Sequence, residues 1–199
     1  MKAVIFDIGG VVIHDRGLKT KVQAAFPSVS MDRLWQSLNA ALLPACRGEA
    51  SRLTCWQRLA TEFAALPPSE TLAALWDTAD FLDGIEVNHD VIHLVRSLRH
   101  RYKLGVISNT MQEHAVALRQ MGIYDEFDEV VLSHEVGLTK DDVKIFEITL
   151  SRLQIEPQEA IFIDDFAAYV EVASSVGMQA ILFTTTTALA ASLKTLGVQ

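Results

Sequence analysis

Five short apolar runs, each stopping on a polar or small residue, constrain this chain more than any other feature. They are AVIF (3–6), LGVIS (104–108), EVVLS (129–133), AIFID (160–164) and QAILF (179–183). From residue 104 onward the runs alternate with helix-length amphipathic stretches: MQEHAVALRQMG (111–122), closed by Gly122, DVKIFEITLSRL (142–153), and AAYVEVASSVG (167–177), closed by Gly177. Near-continuous apolar strands separated by helices predict a parallel sheet covered on both faces. The expected fold class is α/β, a doubly wound, Rossmann-like parallel sheet.

The segment from about Asp15 to Gly84 breaks this rhythm. It has no convincing strand and three helical patterns, SMDRLWQSLNAALL, ASRLTCWQRLATEFAAL and SETLAALWDTA. Pro44, Pro67 and Pro68 punctuate them, and Ser30, Ser51 and Ser69 are suited to N-caps. We therefore expect a core built from residues 1–14 and 85–199, with a small α-helical domain inserted at 15–84. Trp35, Trp56 and Trp76 lie at helical spacing with leucines and are expected in the core of that insert. The helix pattern NHDVIHLVRSLRHR (88–101) returns the chain to the sheet, and Thr184 to Thr187 form a loop ahead of the last helix.

The remaining bulk properties exclude rather than select. Seventeen basic against 25 acidic residues give a formal charge of −8, which argues against nonspecific binding to nucleic acid or an anionic membrane surface. No stretch reaches the ~18 uninterrupted apolar residues of a membrane span. Asp7 interrupts what could otherwise pass for the apolar part of a signal peptide, so the first residues are expected to be structure and the protein cytoplasmic. Cys46 and Cys55 have neither zinc-ligand nor Cys-x-x-Cys spacing and fit two thiols in a reducing compartment. His14, His89, His93, His114 and His134 show no metal-ligand spacing either.

In open parallel sheets ligands bind at the carboxyl ends of the strands, near a switch in strand order. Those ends carry Asp7, Ser108 with Asn109, Ser133 with His134, and Asp164 with Asp165. Four strands thus deliver polar or acidic groups to one edge. An aspartate at a strand end can also cap a turn, and Ser108 and Asn109 can cap the helix that follows them. A helix cap and a phosphate site are compatible, because helix N-termini bind anions.

Taken in order and spacing, VIFDIGGVV at the first strand, GVISNT at the second, Lys140 within GLTKDDVKIFE, and IFIDDF resemble the haloacid dehalogenase-like hydrolase superfamily, in the branch with a helical cap after the first strand. The resemblance covers essentially the whole chain, and RGEASRLTCWQRL is similar to a cap helix of that family. It implies a magnesium-dependent phosphatase of a small phosphorylated metabolite, working through an aspartyl-phosphate. Asp7 would be the nucleophile, which splits ester hydrolysis into two easier steps. Asp7, the Gly9 carbonyl, Asp164 and Asp165 would hold Mg2+ between the two anions, Asp165 being equally suited to supporting the ligands from behind. Ser108, Asn109, Lys140 and Gly10 would bind the phosphoryl group, with Ser108 and Lys140 stabilising its transition-state charge.

The sequence departs from the family pattern at three places. Gly9 stands where these phosphatases usually have a second aspartate, the group that protonates the leaving oxygen; general acid–base catalysis is typically worth ~100 to 10,000-fold. A leaving group stable as an anion needs that proton least, and His14 or Asp15 could supply it from the start of the insert. Asp141 follows the lysine where proline is common, and Tyr169 takes a place where asparagine or aspartate often supports the metal. Two other functions remain open at this stage: a 2-haloacid dehalogenase, which needs neither metal nor second acid, and a degenerate domain serving as a regulatory or interaction module.

Overall fold

The computed structural model describes residues 1–15, 17–63 and 84–198. Pro67, Pro68, Ser69, Trp76 and the helical pattern SETLAALWDTA lie outside the described residues, as does the side chain of Asp15.

The chain opens with β1 (Ala3–Phe6) and a tight turn that leads to β2 (Ile13–Asp15). Helices α1 (Leu18–Ala25), α2 (Met31–Cys46) and α3 (Arg52–Glu62) follow, and β3 (Ile85–Val87) brings the chain back. From there strands and helices alternate: α4 (His89–Leu98), β4 (Lys103–Ser108), α5 (Gln112–Gln120), β5 (Glu129–Leu132), the short α6 (Ser133–Val136), α7 (Val143–Leu153), β6 (Ala160–Asp164), α8 (Ala167–Ser175), β7 (Gln179–Leu182) and α9 (Thr186–Thr195).

Five strands form one parallel sheet in the order β5-β4-β1-β6-β7. The connections leave β1 in opposite directions, so the switch in strand order falls beside it. All four residues of β1 are fully buried, and they alternate between the two faces as a period of two requires. Val4 and Phe6 join the layer formed with Val91 and Val95 of α4, Leu118 of α5 and Leu189 of α9. Ala3 and Ile5 join the opposite layer with Ile145, Phe146 and Leu150 of α7. Each fully buried large aliphatic side chain contributes roughly 1.5–3 kcal/mol, which is why a strand of four residues can anchor the sheet.

The helices α1 to α3 have a core of their own, built from Val22, Phe26, Leu34, Leu38, Trp56 and Leu59. Ser51 caps α3 as expected, its hydroxyl accepting from the Thr54 amide at 3.1 Å. Ser30 stands at the N-cap of α2 without a side-chain bond. Two features differ from the sequence expectation. Pro44 does not end a helix: it lies in the last turn of α2, where its ring removes a single amide donor and little helix follows. The strands β2 and β3 pair antiparallel across the junction between core and insert, Ile13 opposite Val87, and at three residues each they are too short to show a period.

Candidate active site

The site grows from the carboxyl end of β1. Asp7 follows the strand directly, its amide donating to the Ile163 carbonyl of β6 at 2.8 Å, and its side chain is buried. The next residues fold back at once: the Gly10 amide donates to the Ile13 carbonyl at 2.7 Å, and the Val12 and Ile13 amides both bond the Ile8 carbonyl. Gly10 has φ of +81°, and a Cβ there would run into the Asp165 carboxylate. Glycine is required on both counts. Gly9 is different, because a Cβ added to it meets nothing within 4 Å.

Asp164 ends β6 and is fully buried. Its Oδ1 accepts from the Phe166 amide at 2.8 Å, and its Oδ2 accepts from Lys140 Nζ at 2.6 Å. The same Nζ lies 2.7 Å from Asp7 Oδ1, so one lysine, itself only 2% exposed, bridges two buried carboxylates. Burial pushes the Asp7 carboxyl above the usual carboxylate range; Lys140 pulls it back down, and Asp164 adds to the rise. Burial also works against a charged Lys140, but the two aspartates override it and hold its proton more firmly than in water. Asp165, more exposed, is raised by burial and by the neighbouring Asp164 charge.

Lys140 is placed by groups distant in sequence. Its amide donates to Asn109 Oδ1 at 2.9 Å, Asn109 Nδ2 donates to the Tyr169 hydroxyl at 3.1 Å, and the Tyr169 ring centre is 4.8 Å from Nζ. Ser133 Oγ accepts from the Thr110 amide and donates to the Thr110 carbonyl, fixing the turn after β4. Arg47, at the end of α2, donates to Thr139 Oγ1 and Asp141 Oδ2, both at 3.1 Å. Asp141 thus has a structural partner in the insert, which gives a reason for an acid after the lysine. A second link joins Arg52 of α3 to His114 of α5, NH1 to Nε2 at 2.8 Å, and burial followed by the arginine charge pushes His114 down to about 3.

Asp7, Gly9, Asn109, Lys140, Asp164 and Asp165 line one cleft of about 570 Å³, closed from above by α2. Ser108 and Gly10 stand beside it without lining it: Ser108 is buried as the last residue of β4, and Gly10 packs against Asp165. His14 turns away, within reach of Asn88 and on the wall of a separate cavity with Phe183 and Thr184–Thr187. The loop expected over these threonines ends at Thr185, which caps α9, so Thr186 and Thr187 are already helical. The N-cap of α5 is Met111, so neither Ser108 nor Asn109 is its cap. Trp56 is buried among α1 to α3 as expected; Trp35, half-buried, packs against the same core as expected and also lines the cleft. The sequence signal for Trp35 was its spacing with Leu38, Leu42 and Leu43, which marks one helix face without saying what the face covers.

Carboxylate oxygens of Asp7, Asp164 and Asp165 lie within 4.8 Å of one another. Three hard oxygen donors clustered in this way suit an octahedral divalent cation completed by water, and the mutual repulsion that raises Asp7 and Asp165 is what a cation would relieve. The donor set therefore fits Mg2+.

The sequence profile of the haloacid dehalogenase-like hydrolases matches residues 1–177. The chain belongs to this family. Among known proteins, a glyceraldehyde 3-phosphate phosphatase of Methanothermobacter thermautotrophicus is 40% identical over 84 residues, 41% of this chain and 37% of that protein. The chain thus spans little more than a third of that relative. The sesquiterpene phosphatase astK of Aspergillus oryzae is 27% identical over 199 residues, covering 98% of this chain and 96% of astK. In three dimensions the haloacid dehalogenase-like enzyme bt-2542 of Bacteroides thetaiotaomicron superposes with a TM-score of 0.71 at 20% identity, over 92% of this chain and 94% of that one. The same enzyme has been seen with magnesium and inorganic phosphate, superposing at a TM-score of 0.69. At that identity the likeness is one of fold.

Proposed function

We propose that this hydrolase is a magnesium-dependent phosphomonoesterase in which Asp7 attacks phosphorus. The observation that carries the reading is the Lys140 bridge between Asp7 and Asp164, at 2.7 and 2.6 Å, beside Asp165 and inside a single cleft. A buried lysine held cationic next to a strand-end carboxylate opposes the protonation that burial favours there and meets the charge of an incoming phosphoryl group. Phosphatases among the relatives, and a structural neighbour seen with magnesium and phosphate, support the same chemistry.

In this scheme one Asp7 oxygen forms a bond to phosphorus as the ester oxygen leaves, giving an aspartyl-phosphate that water then cleaves. Asp7, Asp164 and Asp165 would hold Mg2+, with the Gly9 carbonyl as a further oxygen donor; when bound, it shields the nucleophile from the phosphate's charge and polarises the phosphoryl oxygens. Lys140 and Asn109 face the phosphoryl group, Asn109 also keeping the Lys140 backbone in register. Ser108 supports them from the end of β4, and Gly10 leaves the space that Asp165 occupies. Residues 15–84 act as the cap that closes the cleft, and the substrate is a small phosphorylated molecule rather than nucleic acid or lipid surface.

The test is hydrolysis of p-nitrophenyl phosphate with and without Mg2+, alongside halide release from 2-chloropropionate. Magnesium-dependent phosphate release that disappears in Asp7→Asn is expected. Metal-independent halide release, or inactivity toward every phosphate ester tried, would overturn the reading.

A further inference from the structure

The cleft has two chemically distinct ends. Asp7, Asn109, Lys140, Asp164 and Asp165 make one end polar; Trp35, Leu38, Leu42 and Leu43 of α2 make the other a hydrocarbon wall, continued on the core side by Met111 and Phe166. These α2 residues recur at helical spacing, so a single helix face lies over the nucleophile. Phe166 is 55% exposed, and its ring centre is 5.0 Å from that of Tyr169, leaving an aromatic edge at the mouth of the cleft.

Charge in the cleft is equally selective. Among the described residues Lys140 is the one lysine or arginine on its wall, and its charge is engaged by Asp7 and Asp164. A second phosphate or a carboxylate on the substrate would meet no further lysine or arginine among the described lining residues. The hydroxyls of a sugar at the α2 end would face Trp35, Leu38, Leu42 and Leu43, with Asn39 and the weakly bonding Cys46 thiol the polar groups that α2 offers and Thr110 on the core side, and buried hydroxyls left without partners are costly. An uncharged apolar group loses nothing on the same wall, and a flat ring can lie against Trp35, Phe166 and Tyr169.

Gly9 adds an independent constraint. No carboxylate stands at that position to protonate the departing oxygen, and His114, the imidazole on the cleft wall, is paired with Arg52. A phenolic oxygen departs as an anion far more readily than an alkoxide and needs no proton in the transition state. The two constraints converge.

We infer that the substrate is the monophosphate ester of an uncharged, apolar phenol, with the phosphoryl group against Asp7 and Lys140 and the ring between α2 and Phe166. This rests on the phosphomonoesterase reading and narrows it. The ester oxygen leaves with the P–O bonding electrons as a phenolate, which takes its proton from solvent, and water completes the turnover by releasing inorganic phosphate.

The experiment compares 2-naphthyl phosphate, phenyl phosphate and glucose 1-phosphate on the full chain with Mg2+, and repeats the series on Phe166→Ala and Trp35→Ala. The two aryl esters have leaving groups of similar acidity, so their ratio reports the hydrocarbon wall. We expect kcat/KM for the naphthyl ester to exceed that for the phenyl ester roughly tenfold or more, mainly through KM. Glucose 1-phosphate should fall below both, and each variant should bring the naphthyl-to-phenyl ratio toward one. A ratio near one in the parent, a ratio unchanged in both variants, or a preference for the sugar ester overturns the inference while leaving the phosphomonoesterase reading intact. If no monophosphate is hydrolysed, that reading has failed and this one with it.

Discussion

Gly9 and Lys140 show how much a single position can decide. A side chain at residue 9 would meet open space, and the residue has no left-handed backbone requirement, so nothing steric excludes an acid there. Gly9→Asp should therefore fold and supply the missing proton donor, raising kcat/KM for alkyl phosphates about tenfold or more. The measurement is the dependence of rate on leaving-group acidity, which should become shallower than in the parent; an unchanged slope would sink the idea. Lys140 has the opposite character. Removing its charge leaves Asp7 and Asp164 facing each other in a buried site, so Lys140→Met should cost about 3 kcal/mol in a urea melt without divalent cation. Activity should drop on the order of 100 to 1,000-fold, as for the loss of one preorganised charge-stabilising group.

At the scale of elements, the insert is tied to the core by specific side chains as well as by packing. The Arg52–His114 pair joins α3 to α5 through a neutral imidazole. Since the folded His114 binds its proton at about 3 and a free histidine near 6.5, the unfolded chain binds more protons between those values. This contribution is thus fully present above pH 6.5 and is lost progressively as the pH falls toward 3. His114→Gln keeps an acceptor for Arg52 but cannot titrate, so the variant should lose less thermal stability than the parent between pH 7 and 4. Parallel melting curves over that range would remove the assignment. Arg47, by contrast, makes a half-exposed pair with Asp141, a type worth under about 1 kcal/mol, and its importance lies in bracing the turn that carries Lys140.

For the whole molecule, a net charge of −8 and three carboxylates converging at one strand edge make the folded state responsive to a divalent cation. A cation that binds only the native state stabilises it by about 2.7 kcal/mol at a hundredfold excess over its dissociation constant, or on the order of 5–10 °C for a chain of this size. Mg2+ should raise the melting temperature by that amount and EDTA should reverse it, with the response abolished in Asp164→Asn. A Tm indifferent to Mg2+ in the parent would count against the proposed metal site.

The local pattern was enough to determine the strands, the helices between them and the polar residues at the strand ends, because burial on both sheet faces and helical periodicity are written in neighbouring residues. The five expected runs match β1, β4, β5, β6 and β7 to within a residue at either end. Strands β2 and β3 were invisible, since three residues do not make a pattern, and Pro44 could not be placed, since its tolerance depends on how close it lies to the helix end. Only the tertiary structure decided that Asn109 holds the amide of Lys140, 31 residues away, and that Lys140 reaches both Asp7 and Asp164. Those contacts depend on the strand order β5-β4-β1-β6-β7, which is set by long-range hydrogen bonds and packing. The same holds for Trp35: periodicity put it on an apolar face of α2, and the docking of that helix over the carboxylates turned the face into the wall of a binding cleft.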